Sequence, residues 1–412
     1  MTIRVHPQQQ YLMWEDGTPF YPIADTAWTL PQRLRDEQVE QYADCRKEQG
    51  FNTVLICSFS ELDGVRVPNQ YGEFPFACPD PLQPLEDYWR RLDRFLEMFW
   101  SRGMVVGLLP TWGDKFNCKG VGGPEIFTPE NAYTYARWLA SRYVDEDRLF
   151  WVLGGDRPLD TDVHREIMRR MAAGLRSVDS RHLITFHPCG AVSSTDFVAG
   201  EPWVDFHSMQ SGHGLECWDS VAMFRKSRCT EDKPCWDMEC RYEDFPVAFD
   251  ESTGLLWSAA DVRWNIYENM MAGACGQSYG HRDIWRFDDR PGKRWEDALS
   301  APAAQQQRIA ASLRCRGDYF AFRAAPEYLS DPGTGPAEQC AAATTGMIFF
   351  YTPGGDAIRA DLTSLPKSGA YGHWFDPRTG EEGAPFAVMP CRQELAPPTS
   401  GEDWVLIVEF AP

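Results

Sequence analysis

Eight apolar, β-rich runs recur through the first three quarters of the chain, and this repetition constrains the fold more than any other sequence feature. Apolar residues are continuous within the runs rather than alternating, as is typical of parallel strands that are buried on both faces. The segments between the runs show the amphipathic spacing of helices. Repeated strand–helix units of this length predict an α/β fold, namely a closed (β/α)8 TIM barrel. The eight runs are residues 20–28, 51–59, 104–114, 149–156, 182–188, 204–213, 233–244 and 276–285.

An open, doubly wound sheet is the alternative arrangement of such units. That fold carries a glycine-rich phosphate-binding loop after its first strand, whereas the segment ADTAW at residues 24–28 contains no glycine. The barrel is therefore favoured. Helices are predicted between the strands at residues 35–49, 84–102, 129–143, 162–178 and 259–272.

The pattern changes near residue 326, where the turn-rich segment PEYLSDPGTGPAEQ begins. Short strand-like runs separated by turn signals follow it, which predicts a small C-terminal antiparallel β-sandwich. We therefore expect two domains. The first is a catalytic barrel over residues 1–330, which includes an N-terminal β-hairpin with an Asp16–Gly17 turn, and the second is the sandwich over residues 337–412.

Charge and composition exclude several classes of partner. The chain has 60 acidic and 40 basic residues and a formal net charge of −20, so it lacks the basic surface that nucleic acid or an anionic membrane requires. No run reaches about 18 apolar residues, which argues against a transmembrane helix, and the N-terminus shows no signal peptide. The 13 cysteines form no CxxC pair. We expect reduced thiols, a cytoplasmic location and no metal or other cofactor.

The stretch LFWVLGGDRP at residues 149–158 starts as a buried strand but ends in the charged pair Asp156 and Arg157. In a barrel of this kind the catalytic groups lie at the carboxyl ends of the strands, where the loops converge on one mouth. The other strand tips carry acids, imidazoles and tryptophans, a combination typical of a polyol-binding cleft. Together with Arg157, we predict as substrate contacts Asp25, Trp28, Glu61, Trp112, Asp114, Lys115, His187, Gln210, His213, Arg241, Tyr242, Tyr279, His281 and Trp285.

Two carboxyl groups are enough to cleave a glycosidic bond, since one protonates the leaving oxygen and the other attacks or activates water. Asp156 ends the fourth run and Glu239 lies in the seventh, and these two strands face each other across a barrel mouth. We predict that Asp156 is the acid and Glu239 the nucleophile, with Arg241 keeping Glu239 ionised. Asp237 and Glu243 are the alternatives for the seventh-strand carboxylate, because strand alternation brings only one side of a strand inward.

Other interpretations of the charged tips remain open. Asp156 could be a structural ion-pair partner of a neighbouring arginine, and Asp25 and Lys115 could form a buried ion pair. His187, His213 and His281 could be ligands of a hydrolytic metal. Such metal-dependent barrels need an HxH pair at the first strand, and ADTAW contains none. We therefore expect these histidines to hydrogen-bond sugar hydroxyls or other side chains of the mouth.

The same motifs resemble a known enzyme family. The strings DGTPFYPIADTAW, LLPTWGDK, LGGDRP, TFHPCG, SGHG, DMECRYED and YGHRDIW, in this order, resemble the DUF4038 group of glycoside hydrolases and are similar to glycoside hydrolase family 140. The resemblance extends over nearly the whole chain. It implies a retaining barrel enzyme that removes terminal apiose, a branched furanose, from glycosides. It also implies that the acid/base aspartate is Asp156 and the nucleophilic glutamate is Glu239.

One motif departs from the family pattern. Where members of the family often read DGEPRYED, this chain reads DMECRYED, so Met238 and Cys240 flank Glu239 and are expected to alter local packing. We expect an exo-acting β-apiosidase that needs no cofactor and acts on a small glycoside or an oligosaccharide. Another furanosidase, such as an arabinofuranosidase on the same scaffold, and a non-catalytic carbohydrate-binding barrel are the alternatives. The aglycone, the stereochemical outcome and the oligomeric state stay open.

Overall fold

A computed structural model describes residues 1–8, 10–120, 122–215, 220–367 and 369–411. The chain begins with three short strands, β1 (Ile3–Val5), β2 (Leu12–Trp14) and β3 (Pro19–Phe20). They form one antiparallel sheet in which β2 pairs with both of the others. The turn between β2 and β3 is at Asp16–Gly17, where Gly17 has a φ of +86° that suits glycine.

Eight parallel strands follow and make the barrel. Their bounds are β4 (Ile23–Thr26), β5 (Thr53–Cys57), β6 (Val105–Leu109), β7 (Leu149–Gly154), β8 (Ile184–His187), then, after the short strand β9 (Val192–Ser193), β10 (His207–Gln210), β11 (Cys235–Asp237) and β12 (Gln277–Tyr279). Six of them pair in the order β12-β4-β5-β6-β7-β8, and β10 pairs in parallel with β11. Each barrel strand therefore lies beside its neighbours in sequence.

Main-chain hydrogen bonds close the two gaps between these ladders. Asp205 N donates to Ile184 O between β8 and β10, and Cys275 N donates to Cys235 O between β11 and β12, both at 2.9 Å. The predicted (β/α)8 barrel is thus confirmed. Closure places the carboxyl ends of all eight strands at one mouth, where the loops that follow them meet.

Nine helices occur among the described residues: α1 (Leu30–Arg33), α2 (Asp36–Glu48), α3 (Glu86–Trp100), α4 (Pro129–Tyr143), α5 (Asp162–Arg176), α6 (Thr195–Val198), α7 (Ser220–Thr230), α8 (Ala259–Met271) and α9 (Pro302–Arg314). The five predicted helices are present within a few residues of their predicted ends. Local signals explain these starts: Thr128 and Ser258 cap α4 and α8 through their hydroxyls, and Pro129 opens α4. In the part of the chain described, no helix combines the length and apolarity needed to cross a bilayer.

Large aromatic side chains fill the barrel below its mouth. Phe206 stacks on Trp236 with 6.1 Å between ring centroids, and Phe150 lies 5.8 Å from both rings. Gly107 makes room for them, because a Cβ at this position would come within 2.5 Å of the Phe150 ring. A dry interior of this kind excludes unpaired charges.

The C-terminal region forms the predicted antiparallel sandwich. Its strands are β13 (Arg323–Ala324), β14 (Cys340–Ala343), β15 (Met347–Thr352), β16 (Ile358–Asp361), β17 (Ala370–Phe375), β18 (Phe386–Val388), β19 (Arg392–Leu395) and β20 (Trp404–Phe410). Six of them form a sheet in the order β13-β14-β15-β20-β17-β18, and β16 pairs with β19. Phe350 and Leu406 of the larger sheet share a buried core with Ile358 and Ala360 of the two-stranded ribbon.

The sandwich packs on helix α8 of the barrel. Tyr267 of α8 stacks on Tyr351 of β15 with 5.0 Å between ring centroids. Arg263, one turn earlier, forms a two-pronged ion pair with Asp403 at 2.7 and 2.5 Å, and both side chains are buried. Burial and two parallel hydrogen bonds make this pair specific for one relative position of the two parts. These contacts hold the sandwich against the barrel.

We expect Asp403→Ala to lower the free energy of unfolding by about 3 kcal/mol, because the mutation leaves the Arg263 guanidinium buried without its carboxylate. Urea denaturation followed by circular dichroism measures this change. Asp361→Ala is the matched control, since Asp361 pairs with the exposed Arg392 on the sandwich surface and its loss should cost less than about 1 kcal/mol. Equal effects of the two substitutions would contradict a bracing role for the buried pair.

Candidate active site

The turn after β7 holds Asp156 in an unusual backbone conformation. Gly154 and Gly155 have φ values of +90° and +110°, and Asp156 itself has a φ of +53°. Neither glycine tolerates a side chain: a Cβ would lie 2.4 Å from His187 O at the first and 2.9 Å from Gly113 N at the second. The left-handed conformation of a non-glycine residue is strained, and such strain is concentrated at functional sites. The two glycines thus permit the turn that aims Asp156 into the mouth.

The barrel mouth contains a pocket of about 450 Å³. Its base and walls combine aromatic rings with polar side chains, as in carbohydrate-binding sites. Three carboxyl groups reach it, those of Glu61, Asp156 and Glu239. Nine of the predicted residues line the pocket: Trp28, Glu61, Trp112, Asp156, Gln210, His213, Glu239, Tyr242 and Trp285.

Two histidines contact the carboxylate of Glu239. Its Oε1 lies 3.1 Å from His213 Nε2, and its Oε2 lies 3.2 Å from His187 Nε2. His187 is fully buried behind the pocket and is held between the rings of Trp28 and Trp112, at 5.3 and 5.8 Å. Burial by itself would raise the pKa of Glu239, but the two imidazoles outweigh it and lower that pKa to about 2. Glu239 is consequently ionised at neutral pH.

Asp156 lies in the opposite electrostatic environment. Burial and the negative charge of Glu239 raise its pKa, against the opposing influence of Arg157, whose Nη1 is 2.9 Å from the Asp156 carboxylate, and of a hydrogen bond with Gln210. Two carboxyl groups of one pocket are thus shifted in opposite directions. This is the pattern by which an acid and a nucleophile are distinguished at one pH.

Asp25 and Tyr279 of the predicted set do not line the pocket. The carboxylate of Asp25 is fully buried and is bound by Arg46 Nε at 2.5 Å and by the Tyr42 hydroxyl at 2.6 Å. The Tyr279 hydroxyl donates to Glu243 at 2.8 Å. The Asp25 carboxylate and the Tyr279 hydroxyl thus have partners within the protein, so they support the barrel wall instead of contacting a ligand.

Asp114, Lys115 and Arg157 also differ from the expectation of direct substrate contact. Lys115 Nζ lies 2.7 Å from Asp114 Oδ2 and donates to Gly123 O at 3.0 Å, entirely buried in the loop after β6. Asp25 and Lys115 therefore do not form an ion pair with each other, since Asp25 binds Arg46 and Lys115 binds Asp114. Arg157 lies beside Asp156 without lining the pocket.

Arg241 points away from Glu239. Its guanidinium lies over the ring of Trp264 at 4.2 Å and donates to Asp261 O at the start of α8. Strand geometry ends at Asp237, whose carboxylate accepts from the Ser211 hydroxyl at 2.6 Å. Side chains two residues apart lie on the same side only within a strand. Glu239 and Arg241 come after the end of β11, so this rule does not apply to them. The histidines, and not Arg241, stand beside Glu239.

His281 belongs to a separate cluster with Asp244 and Asp283, in which one potential metal-ligating atom of each lies within 4.8 Å of the others. Burial lowers the pKa of His281 to about 4. Both acids already form ion pairs, since Arg290 contacts each of them and Lys293 contacts Asp244 at 2.8 Å. Cations therefore occupy the positions that a metal would need, and we assign the cluster a structural role.

Sequence reasoning missed the aromatic outer wall of the pocket. Phe245 and Phe249 lie 4.6 and 5.7 Å from the His213 ring, and they come from the irregular segment after the seventh strand. The string EDFPVAFD contains both rings, which is the one signal that the sequence offered. Leu62, Gly190, Ala191, Ser211, Gly212 and Gly214 complete the lining.

Replacing His213 by phenylalanine should move the acid limb of the kcat/KM profile to higher pH by about one unit, since one group that lowers the pKa of Glu239 is lost. Phenylalanine keeps the packing against Tyr242 and Phe245. Because the nucleophile must be ionised, activity then disappears at a higher pH as the solution is acidified. A pH–rate profile measures the shift. His164→Phe on α5, outside the pocket, is the control, and an unchanged acid limb in His213→Phe would contradict the assigned contact.

Comparison with known proteins agrees with this geometry. Residues 6–320 match the family model described as "Apiosidase-like, catalytic domain", and residues 329–409 match one described as "Putative collagen-binding domain of a collagenase". A crystal structure of a glycoside hydrolase family 5 protein from Bacteroides vulgatus superposes with a TM-score of 0.91, at 27% identity over 99% of this chain and 93% of that one. Another structure, described as "Glycoside hydrolase", has a TM-score of 0.90 at 25% identity over 100% and 97% of the chains.

Curated sequences are more distant. "Probable mannan endo-1,4-beta-mannosidase F" proteins of Aspergillus flavus and Aspergillus oryzae are each 22% identical over 312 residues, which is 63% of this chain. The match spans 66% of their length, just under two thirds.

Proposed function

Because the chain belongs to the family of apiosidase-like catalytic domains and is a glycoside hydrolase, we propose that it releases terminal apiose from glycosides as an exo-acting β-apiosidase. The observation that supports a hydrolytic pair is the opposite environment of two carboxyl groups in one pocket. Glu239 is kept ionised by His187 and His213, whereas burial and the charge of Glu239 favour the protonated form of Asp156. The pocket volume of about 450 Å³ suits one or two sugar rings rather than a long polymer.

The proposed chemistry is a retaining double displacement. Asp156 donates its proton to the glycosidic oxygen while a Glu239 oxygen attacks the anomeric carbon, so that the C–O bond to the leaving group breaks and a glycosyl ester forms. Asp156, now ionised, then takes a proton from a water molecule. That water attacks the anomeric carbon, the ester bond breaks, and Glu239 is regenerated as a carboxylate. The histidines beside Glu239 hold its two oxygens in place throughout.

Sugar release from a panel of glycosides tests the substrate. We expect the enzyme to free apiose from an aryl β-apioside with a kcat/KM at least about 100-fold above that for an aryl arabinofuranoside or mannoside, since a pocket built around hydroxyl groups rejects a poorly matched sugar strongly. Mannoside is included because of the Aspergillus relatives. Release of arabinose or mannose without apiose would overturn the apiose assignment and keep the hydrolase. Binding of a sugar with no turnover of any glycoside in a broad panel would overturn the proposed hydrolytic roles of the pair.

A further inference from the structure

Glu61 is the third carboxyl group of the pocket, and it differs from the other two. Asp156 contacts Arg157 and Gln210, and Glu239 contacts two histidines. Among the described residues, none donates a hydrogen bond to the Glu61 carboxyl or forms an ion pair with it. Glu61 is half-buried, and it lines the pocket. A pocket carboxyl without a protein partner is therefore available to a ligand.

The loop after β5 holds Glu61 at the pocket in a constrained conformation. The next two residues, Leu62 and Asp63, have φ values of +55° and +74°, which are strained for residues other than glycine. The loop turns back tightly, so that a Cβ at Gly64 would lie 2.5 Å from Ser60 O. Asp63 is itself bound by Arg66 at 2.8 and 3.0 Å. The two strained residues directly follow Glu61 in the chain, as expected where a side chain is held in place for function.

The charged groups around Glu61 favour its neutral form. Burial, together with the charges of Asp156, Asp114 and Glu239, raises its pKa to about 8. Arg157 opposes them, but it is engaged by Asp156, and Lys115 is engaged by Asp114. The two histidines of the site face Glu239. Below pH 8 the neutral carboxyl offers one O–H donor and one carbonyl acceptor.

We propose that Glu61 is a specificity-determining residue, which binds hydroxyl groups of the terminal sugar by donating one hydrogen bond and accepting another. A sugar hydroxyl matches this pair of functions, since it also both donates and accepts. An ionised carboxylate beside two other acids would only accept, and it would repel further negative charge. The proposal rests on the proposed function to the extent that a terminal sugar occupies the pocket, but it does not depend on that sugar being apiose.

Glu61→Gln and Glu61→Ala separate this role from others. Glutamine also donates and accepts with the same shape, so Glu61→Gln should keep KM within about threefold of wild type, whereas Glu61→Ala should raise KM at least about tenfold with a smaller change in kcat. The substrate is the aryl glycoside of the panel that the wild type hydrolyses fastest. Glu130→Gln, exposed on α4, is the control. Thermal unfolding of each variant checks that the fold is intact.

Competitive inhibition by the free sugar supplies a readout that needs no acid or base catalysis. For the wild type the inhibition constant should rise as the pH increases through 8, where Glu61 ionises, and for Glu61→Gln it should stay constant. If Glu61→Ala has wild-type KM, Glu61 does not touch the sugar and the proposal fails. If Glu61→Gln loses kcat at unchanged KM, Glu61 is an acid catalyst and the assignment is overturned. A failure of the apiose assignment appears separately, as preference for another glycoside by the wild type.

Discussion

Glu239→Gln should lower kcat/KM by at least about 10⁴-fold, because the amide keeps the shape of the side chain but cannot attack the anomeric carbon. Hydrolysis of an aryl glycoside, followed by release of the aryl alcohol, measures the loss. The fold should be kept, since the amide has the same shape and volume, but the variant loses the stabilisation that the paired carboxylate gives. Sugar binding should therefore persist, and the free sugar should still protect the variant from thermal unfolding.

Glu243→Gln is the matched control for this experiment. Glu243 lies four residues further along the same segment and is buried, but it accepts hydrogen bonds from the Tyr279 hydroxyl and from Ala303 N outside the pocket. Glutamine can accept both, so we expect activity within about tenfold of wild type. If Glu243→Gln lost activity and Glu239→Gln kept it, the nucleophile would be Glu243 and not Glu239.

Asp156→Ala should lower kcat by about 10² to 10⁴-fold on glycosides whose leaving group needs a proton, which is the usual contribution of a general acid. Aryl glycosides with good leaving groups should be affected less in the first step, because the leaving oxygen then departs without protonation. Comparison of a nitrophenyl and an alkyl glycoside measures the difference. Equal losses on both substrates would contradict an acid role for Asp156.

The pH dependence of Asp156→Ala adds a second test. The raised pKa of Asp156 means that the wild type loses its acid, and with it activity, as the pH increases through that pKa. In Asp156→Ala the alkaline limb of the kcat profile should disappear, whereas KM still rises as Glu61 ionises. Added azide should restore turnover in the variant and yield a glycosyl azide of retained configuration, since azide attacks the glycosyl ester without needing a base. Asp160 is exposed beyond the same turn. Asp160→Asn should therefore keep the wild-type pH profile, and azide should not change its product.

The candidate pair could be predicted because it depends on short-range signals. LGGDRP combines a buried strand, two glycines and an acid, and the structure shows that both glycines are required by contacts with Gly113 and His187. Eight apolar runs predicted the barrel, and the barrel fixes which ends of the strands meet. Asp156 and Glu239 were thus assigned to one mouth from chain order alone, and both line one pocket.

The partners of these groups could not be predicted in the same way. Strand alternation suggested Arg241 beside Glu239, but the strand ends at Asp237 and Arg241 turns toward Trp264 and α8. Asp25 was expected at the mouth, yet Arg46 of α2 binds it. Long side chains from distant segments decided both outcomes. A one-dimensional pattern holds no information on which of several charged groups will be nearest after folding.

The barrel, the sandwich, five of the helices and the strand tips that carry Asp156 and Glu239 could be predicted, because hydrophobic periodicity, glycine turns and caps act within a few residues. Folding brings His187 and His213 to Glu239, places Phe245 and Phe249 in the outer wall, and leaves Glu61 without a protein partner among the described residues; none of this could be predicted. The physical reason is that burial and Coulomb interactions depend on distances between groups far apart in the chain.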